Sequence, residues 1–285
     1  GSQKVLDAYG KKITTGEIET VVKAAAAEGV HQMIGFFITG GPFESREIIE
    51  ENKKFAEKLL NMAPGVIILG VSPLMAYPST GISRCPEKFG IEILDPAGLT
   101  VFSDFPVTKT AALSREEIAA GQNELIQHIL DTMMKIFKEG RVPHEAIINC
   151  FRDFNYGAQS VWYMSIYNVL PFLKGYYTLM SRNAVKKSQD IAACEIMGWR
   201  PQRIMEMWHD VDFSQGYPAV GKDVLSPLEF ELLLYSTGKM TLKQVIEKVR
   251  EKFGSMFESE AEFQTEAMNI LKTFEKKYWL AYAPF

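Results

Sequence analysis

Cysteine is scarce in this chain. Its 285 residues include three, Cys85, Cys150 and Cys194, odd in number and far apart. That argues against a disulfide framework and for reduced thiols in a cytoplasmic protein. No two of them have the spacing of a zinc or iron–sulfur site. Histidine is nearly as rare: His31, His128, His144 and His209 each stand alone. The stretch Trp208-His209-Asp210-x-Asp212 offers nitrogen and oxygen donors but no second histidine, so it reads as a solvated turn and no metal site is assigned. Positive charge is not in excess either, with Lys+Arg 31 against Asp+Glu 35 and a net charge of -4. Nothing global therefore points to nucleic acid or an anionic membrane. There is no apolar run of membrane-spanning length and no secretory signal pattern. A Ser/His/Asp arrangement and a phosphate-binding loop are also missing, and no catalytic residue is assigned.

What the chain does have is apolar content, 47% of its residues, and one stretch that organises it, His31 to Ser45 (HQMIGFFITGGPFES). Met33, Ile34, Phe36, Phe37 and Ile38 form a run that is hydrophobic on both faces, as in a parallel strand covered on both sides. Gly40 and Gly41 give either a close backbone approach to a ligand or simply a tight exit from the strand. Pro42 bars a continuing strand, and Glu44-Ser45 stand where a helix should begin. Thr14-x-x-Glu17 is a capping-box pattern that predicts a preceding helix through Ile18, Val21, Val22 and Ala25, stopping at Gly29. Ile48, Asn52, Phe55, Leu59 and Met62 predict a following one, ended by Pro64-Gly65. Val66 to Val71 is a second buried-type strand, and Ser72-Pro73 and Tyr77-Pro78-Ser79-Thr80 follow it in a loop. Helix–strand units in succession imply parallel neighbours. Two strands make too small a parallel sheet, so further strands or a cut from a larger barrel or sheet are expected. Short strand pairs are expected at Ile91–Leu94 and Leu99–Phe102.

Gly40-x-Pro42-x-Glu44-Ser45 after an apolar strand resembles the fifth strand of radical SAM enzymes. The next strand, ending in Tyr77-Pro78-Ser79-Thr80, resembles their sixth. The wording FFITGGPFES is most similar to the cobalamin-binding branch. The resemblance covers about residues 4 to 105. It implies a partial (β/α)6 barrel whose strand ends close one side of a cavity for S-adenosylmethionine and substrate. The cavity wall it carries over is Phe36, Ile38, Gly40, Gly41, Pro42, Glu44, Ser72, Pro73, Tyr77 and Thr80; plain core packing is the alternative for Phe36 and Ile38. There are departures. The CxxxCxxC motif that holds the 4Fe-4S cluster is absent, as are the four earlier strands. Ser79 stands at the family's usual glycine, and Gly81 at its usual proline. The expectation is a carboxyl-terminal part of such an enzyme, with Gly1-Ser2 a cloning remnant. The cluster, and cobalamin if the parent binds it, would belong to the missing amino-terminal part, which becomes a partner. The strand at Met33–Ile38 should then expose an unpaired edge, covered by a second copy of the chain or by the helical segment.

Residues 107–215 read as that helical segment. Ser114-x-x-Glu117 predicts a long helix to about Lys138, stopped by Gly140. Pro143 starts another, with Ala146, Ile147, Cys150, Phe151 and Phe154 on one face. Tyr156 to Tyr177 is aromatic-rich and reads either as a pocket lining or as a helix packed on both sides.

Residues 216–285 read as a separate unit of three capped helices, opened by Ser226-Pro227-x-Glu229, Thr241-x-x-Gln244 and Ser259-x-x-Glu262. With possible strands at Val220–Val224 and Trp279–Tyr282, they suggest a winged helix. The order LSPLEFELLLYSTGKMTLKQVIEKV resembles the PqqD-like domains found beside radical SAM enzymes, which implies a grip on a leader segment of a peptide substrate. DNA binding is the rival, but nine Lys/Arg against ten Asp/Glu in this stretch leave no basic excess. The fold class expected for the whole chain is mixed α/β and predominantly helical: two parallel βα units over 1–106, the helical segment over 107–215, and the winged helix. Besides the radical SAM fragment, two other readings stand: a non-catalytic peptide- or partner-binding module built on the winged helix, and an unrelated α/β ligand-binding domain with further strands from residues 90 to 110.

Overall fold

A computed structural model describes residues 1–94, 105–153 and 172–284 except 183. The fold is mixed α/β, about half helical, with small open sheets and no closed barrel among the described residues. It divides into two compact units, the first holding described residues up to 150 and the second residues 151–153 and those from 172 onward.

The first unit begins with α1 (Gln3–Ala8) and α2 (Thr15–Ala27). Thr14 and Glu17 form the full reciprocal capping box at the start of α2. Strand β1 (Met33–Thr39), α3 (Arg46–Met62) and β2 (Ile67–Pro73) follow. Strands β1 and β2 pair in parallel, in a register running from Met33 opposite Ile67 to Thr39 opposite Pro73. One face of the pair carries Phe37 and Leu69. The apolar face of α3 is buried through Ile48, Ile49, Phe55, Ala56, Leu59 and Leu60. Helix α5 (Arg115–Lys138) has its own capping box, Ser114 with Glu117, and packs against α3. A Cβ on Gly121 of α5 would lie 2.4 Å from Ile49 Cδ1, so the absence of a side chain lets α3 and α5 approach closely. The other face of the strand pair leaves Ile34, Phe36 and Ile38 exposed.

Between β2 and α5 lie a short helix α4 (Gly81–Arg84) and an antiparallel pair, β3 (Ile91–Ile93) with β4 (Thr108–Thr110). This pair is a separate sheet and does not extend β1–β2. The expected strand Leu99–Phe102 lies outside the described residues. Helix α6 (His144–Asp153) begins after Pro143, as its first-turn proline predicts.

The second unit contains α7 (Leu173–Ser181), β5 (Arg200–Arg203), a short α8 (Met207–Asp210), a hairpin of β6 (Ala219–Val220) with β7 (Asp223–Val224), then α9 (Pro227–Tyr235), α10 (Leu242–Phe253), α11 (Glu260–Lys276) and β8 (Leu280–Ala283). Capping boxes open α9 and α10, and Ser259 caps α11. Leu232, Leu233, Val245, Val249, Phe263, Ala267, Leu271 and Phe274 converge on one core. That core also takes Ile191, Met205, Met207 and Val211, which precede residue 216. Strand β8 pairs antiparallel with β5, from Arg200 opposite Ala283 to Arg203 opposite Leu280. The end strand thus finds its partner upstream of the three helices, while Val220–Val224 folds back on itself. Of the aromatic stretch, Tyr156 to Pro171 lies outside the described residues. Tyr176 and Tyr177 are buried in edge-to-face contact at 5.4 Å, and the Tyr176 hydroxyl is buried with them, where the packed-helix reading expects phenolic groups at the surface.

Candidate functional site

The parallel register places the ends of β1 and β2 side by side. The Leu74 N–H donates to the Thr39 carbonyl at 2.7 Å, and the Thr39 hydroxyl reaches the Ser72 carbonyl at 3.4 Å. The two loops named from sequence, Gly40–Ser45 and Ser72–Thr80, therefore leave from adjacent points at one end of the sheet.

The first loop closes on itself. The Gly40 and Gly41 N–H groups both donate to the Glu44 carboxylate, and the Glu44 N–H donates to the Gly41 carbonyl at 3.2 Å. Glu44 is buried. Its main chain is held by the Thr110 hydroxyl, which donates to the Glu44 carbonyl at 2.8 Å; the Thr108 hydroxyl donates to that of Gly40 at 3.1 Å. Gly40 is left-handed at φ +71°, and a Cβ there would sit 2.9 Å from Thr108 Oγ1 and 3.3 Å from Ile118 Cγ2. A Cβ on Gly41 would lie 2.5 Å from the Tyr9 hydroxyl. That hydroxyl is buried without a hydrogen-bond partner, and burial raises its pKa.

Burial pushes the Glu44 carboxyl up to about 7, against the opposing pull of the Gly40 and Gly41 N–H donors. The Gly1 amine is brought down to about 5 by its own burial, with Glu51 and Glu44 opposing. A cavity of about 360 Å³ adjoins this turn, walled by apolar side chains including Val5, Leu6, Phe37, Ile48 and Phe55, with Glu44 among its polar groups.

The residues taken from sequence separate into three groups. Gly40, Gly41, Pro42 and Glu44 make the buried turn, joined by Pro73 at the strand end. Phe36 and Ile38 stand on the open face of the sheet with Phe36 71% exposed, and Ser72 is opposite Ile38 in the register. Gly70 is opposite Phe36, and a Cβ there would meet the Phe36 ring at 3.0 Å. Tyr77 and Thr80 are exposed in the second loop, where Thr80 caps α4 by accepting from Ser83 N–H and donating to the Tyr77 carbonyl. Ser79 is left-handed at φ +70°, a conformation that glycine adopts freely.

Sequence reasoning missed Tyr9, Thr108 and Thr110. The only signal for the threonines was a polar alternation, Thr-Lys-Thr, too short to stand out as a strand. Among the described residues no group of three or more His, Cys, Asp or Glu side chains is placed to hold a metal ion. Comparison with family models, curated proteins and solved structures finds no match.

Two predictions follow from the strand-end geometry. Gly40→Ala should destabilise the fold by about 2 kcal/mol or more, since it adds left-handed strain to a blocked Cβ position. Ser79→Gly should do the reverse, by about 0.5–1 kcal/mol. Urea unfolding of both variants against the parent reads the two signs.

Glu44 gives a pH signature. Between its ordinary 4.5 and about 7, the folded chain keeps a proton that the unfolded chain has released. Its contribution to stability therefore falls as pH rises through that window and is level above it. Glu44→Gln removes the titration, so its stability relative to the parent should rise by about 1–3 kcal/mol from about pH 4.5 to about pH 8. The Gly1 amine titrates in both proteins and largely drops out of the difference. A pH-independent difference would contradict the assignment.

Proposed function

We propose that this chain is the carboxyl-terminal part of a radical SAM enzyme of the cobalamin-associated type, with methyl transfer as the outcome. The observation that carries the reading is the in-register parallel pairing of β1 with β2, which sets the GGPFES and YPST loops side by side at one sheet end. Ligands of open α/β and barrel folds gather at that end of parallel strands. Ser79, a departure from the glycine usual in that family, is left-handed at φ +70°, a conformation that glycine adopts freely.

In this reading Phe36, Ile38 and Ser72 on the open face would wall the cavity for S-adenosylmethionine. The buried turn of Gly40, Gly41 and Glu44 would act one step removed, fixing where β1 ends. The 4Fe-4S cluster and cobalamin would be held by other parts of the parent enzyme, because none of Cys85, Cys150 and Cys194 has the spacing the cluster requires. The reduced cluster would supply the electron that cleaves S-adenosylmethionine to a deoxyadenosyl radical, and Phe36, Ile38 and Ser72 would orient and shield the reactants. The second unit is the candidate for a winged helix that holds a peptide, on the strength of its three capped helices and terminal strand.

Anaerobic reconstitution of this chain with iron and sulfide should give neither a stoichiometric four-iron spectrum nor cleavage of S-adenosylmethionine. A CxxxCxxC segment should be encoded upstream in the same reading frame. Four-iron spectra with cleavage from the chain alone, or a reading frame without the cysteine motif, would overturn the proposal.

A further inference from the structure

The second unit carries an aromatic surface that its core does not use. Trp208 is 90% exposed, and Phe213 and Tyr217 are also open to solvent. These rings are not scattered. Trp208 and Phe213 lie with centroids 6.2 Å apart, and Phe213 meets Phe230 edge to face at 5.7 Å.

The mounting is firm. On either side of Trp208, Met207 and Val211 are buried in the core, and Phe230 packs against that core from α9. Asp212 and Ala219 exchange two backbone hydrogen bonds, at 2.8 and 2.9 Å, and these close the loop that presents Phe213 and Tyr217. The three aromatic side chains come from three local structures, α8, the 213–218 loop and α9, that share one support.

The stretch that carries them is predominantly acidic. Residues 206–231 contain six carboxylates, Glu206, Asp210, Asp212, Asp223, Glu229 and Glu231, against one lysine, Lys222. Cations from elsewhere reach two of them: Lys277 pairs with Asp223 at 2.8 Å and Lys252 with Glu231 at 2.7 Å. Asp210 accepts from the Glu206 N–H and pairs with the exposed His209; Asp212 caps Ser214, and Glu229 closes the α9 capping box. Among the described residues, no lysine or arginine forms an ion pair with Glu206, Asp210, Asp212 or Glu229.

An exposed aromatic cluster whose rings each have a carboxylate within two residues in sequence, Glu206 and Asp210 by Trp208, Asp212 by Phe213 and Glu229 by Phe230, selects its partner. A second copy would bring a like-charged surface against it, which is costly at a symmetric contact. Anionic lipid and nucleic acid are repelled for the same reason. A segment with an apolar face and lysine or arginine beside it meets both features, through ring contacts, cation–π attraction and charge complementarity. We propose that Trp208, Phe213 and Phe230 form a docking surface for a basic amphipathic segment of a partner protein. The inference rests on the second unit alone and does not depend on the radical SAM reading.

The test uses the full chain and a dye-labelled 18-residue peptide of leucine and lysine at helical spacing, followed by fluorescence anisotropy. Saturable binding is expected, weakened about tenfold or more by Trp208→Ala and similarly by Phe213→Ser. A peptide with glutamate in place of lysine should not bind, and one with serine in place of leucine should bind about tenfold more weakly. Trp208 is exposed, so the variant should fold; an unchanged circular dichroism melt checks this. Binding unaffected by both substitutions, equal binding of the glutamate peptide, or a Trp208-dependent dimer in light scattering would each overturn the proposal.

Discussion

The first unit depends on the parallel pairing of β1 with β2. Seven residues on each strand are matched in register, so the end of one strand fixes the end of the other. The two following loops inherit their positions from that match. Leu74 N–H on the Thr39 carbonyl ties the exits together, and Glu44 folds back to satisfy the N–H groups of Gly40 and Gly41 where the ladder stops. A buried turn must account for its backbone donors. Here an acid does so, and desolvation raises that acid's pKa in consequence. The threonines of β4 supply the matching bonds to the turn's carbonyls, so the small β3–β4 sheet serves as a clamp on the exit from β1.

The second unit is organised by burial instead of a ladder. Three short helices cannot each bury an apolar stripe alone. They do so around Phe263, Leu271 and Phe274, and the four-residue strand β8 then closes against β5. This arrangement consumes the inward faces of α8 and α9 while leaving Trp208 and Phe213 outside it. Phe230 links the two, packing against the core on one side and meeting Phe213 on the other.

Local signals were legible in the sequence, and nonlocal ones were not. The capping boxes at Thr14, Ser114, Ser226 and Thr241 all form, and α5 ends at Lys138, because a cap is decided within four residues. The strands β1 and β2 and their parallel sense followed from apolar runs joined by a helix. Strand β5, Arg-Pro-Gln-Arg, has no apolar pattern at all; it is a strand because β8 needs a partner. The same holds for β4. Glu44 was legible as part of the site, but its inward turn toward Gly40 was not, since that depends on Thr108, Thr110 and Ile118 enclosing it from far along the chain.

The open face of β1 bears on the proposed chemistry. A two-layer sheet with one side on helices ordinarily alternates apolar and polar residues, so that its outer face is wet. Strand β1 does not: Ile34, Phe36 and Ile38 occupy the outer positions, while Phe37 faces the helices. Opposite Phe36 the chain has Gly70, where a Cβ would crowd the aromatic ring at 3.0 Å. Ile34 and Ile38 are partly covered within the unit itself, and Phe36 is the most exposed of the row. A strand apolar on both sides fits a sheet covered on both sides.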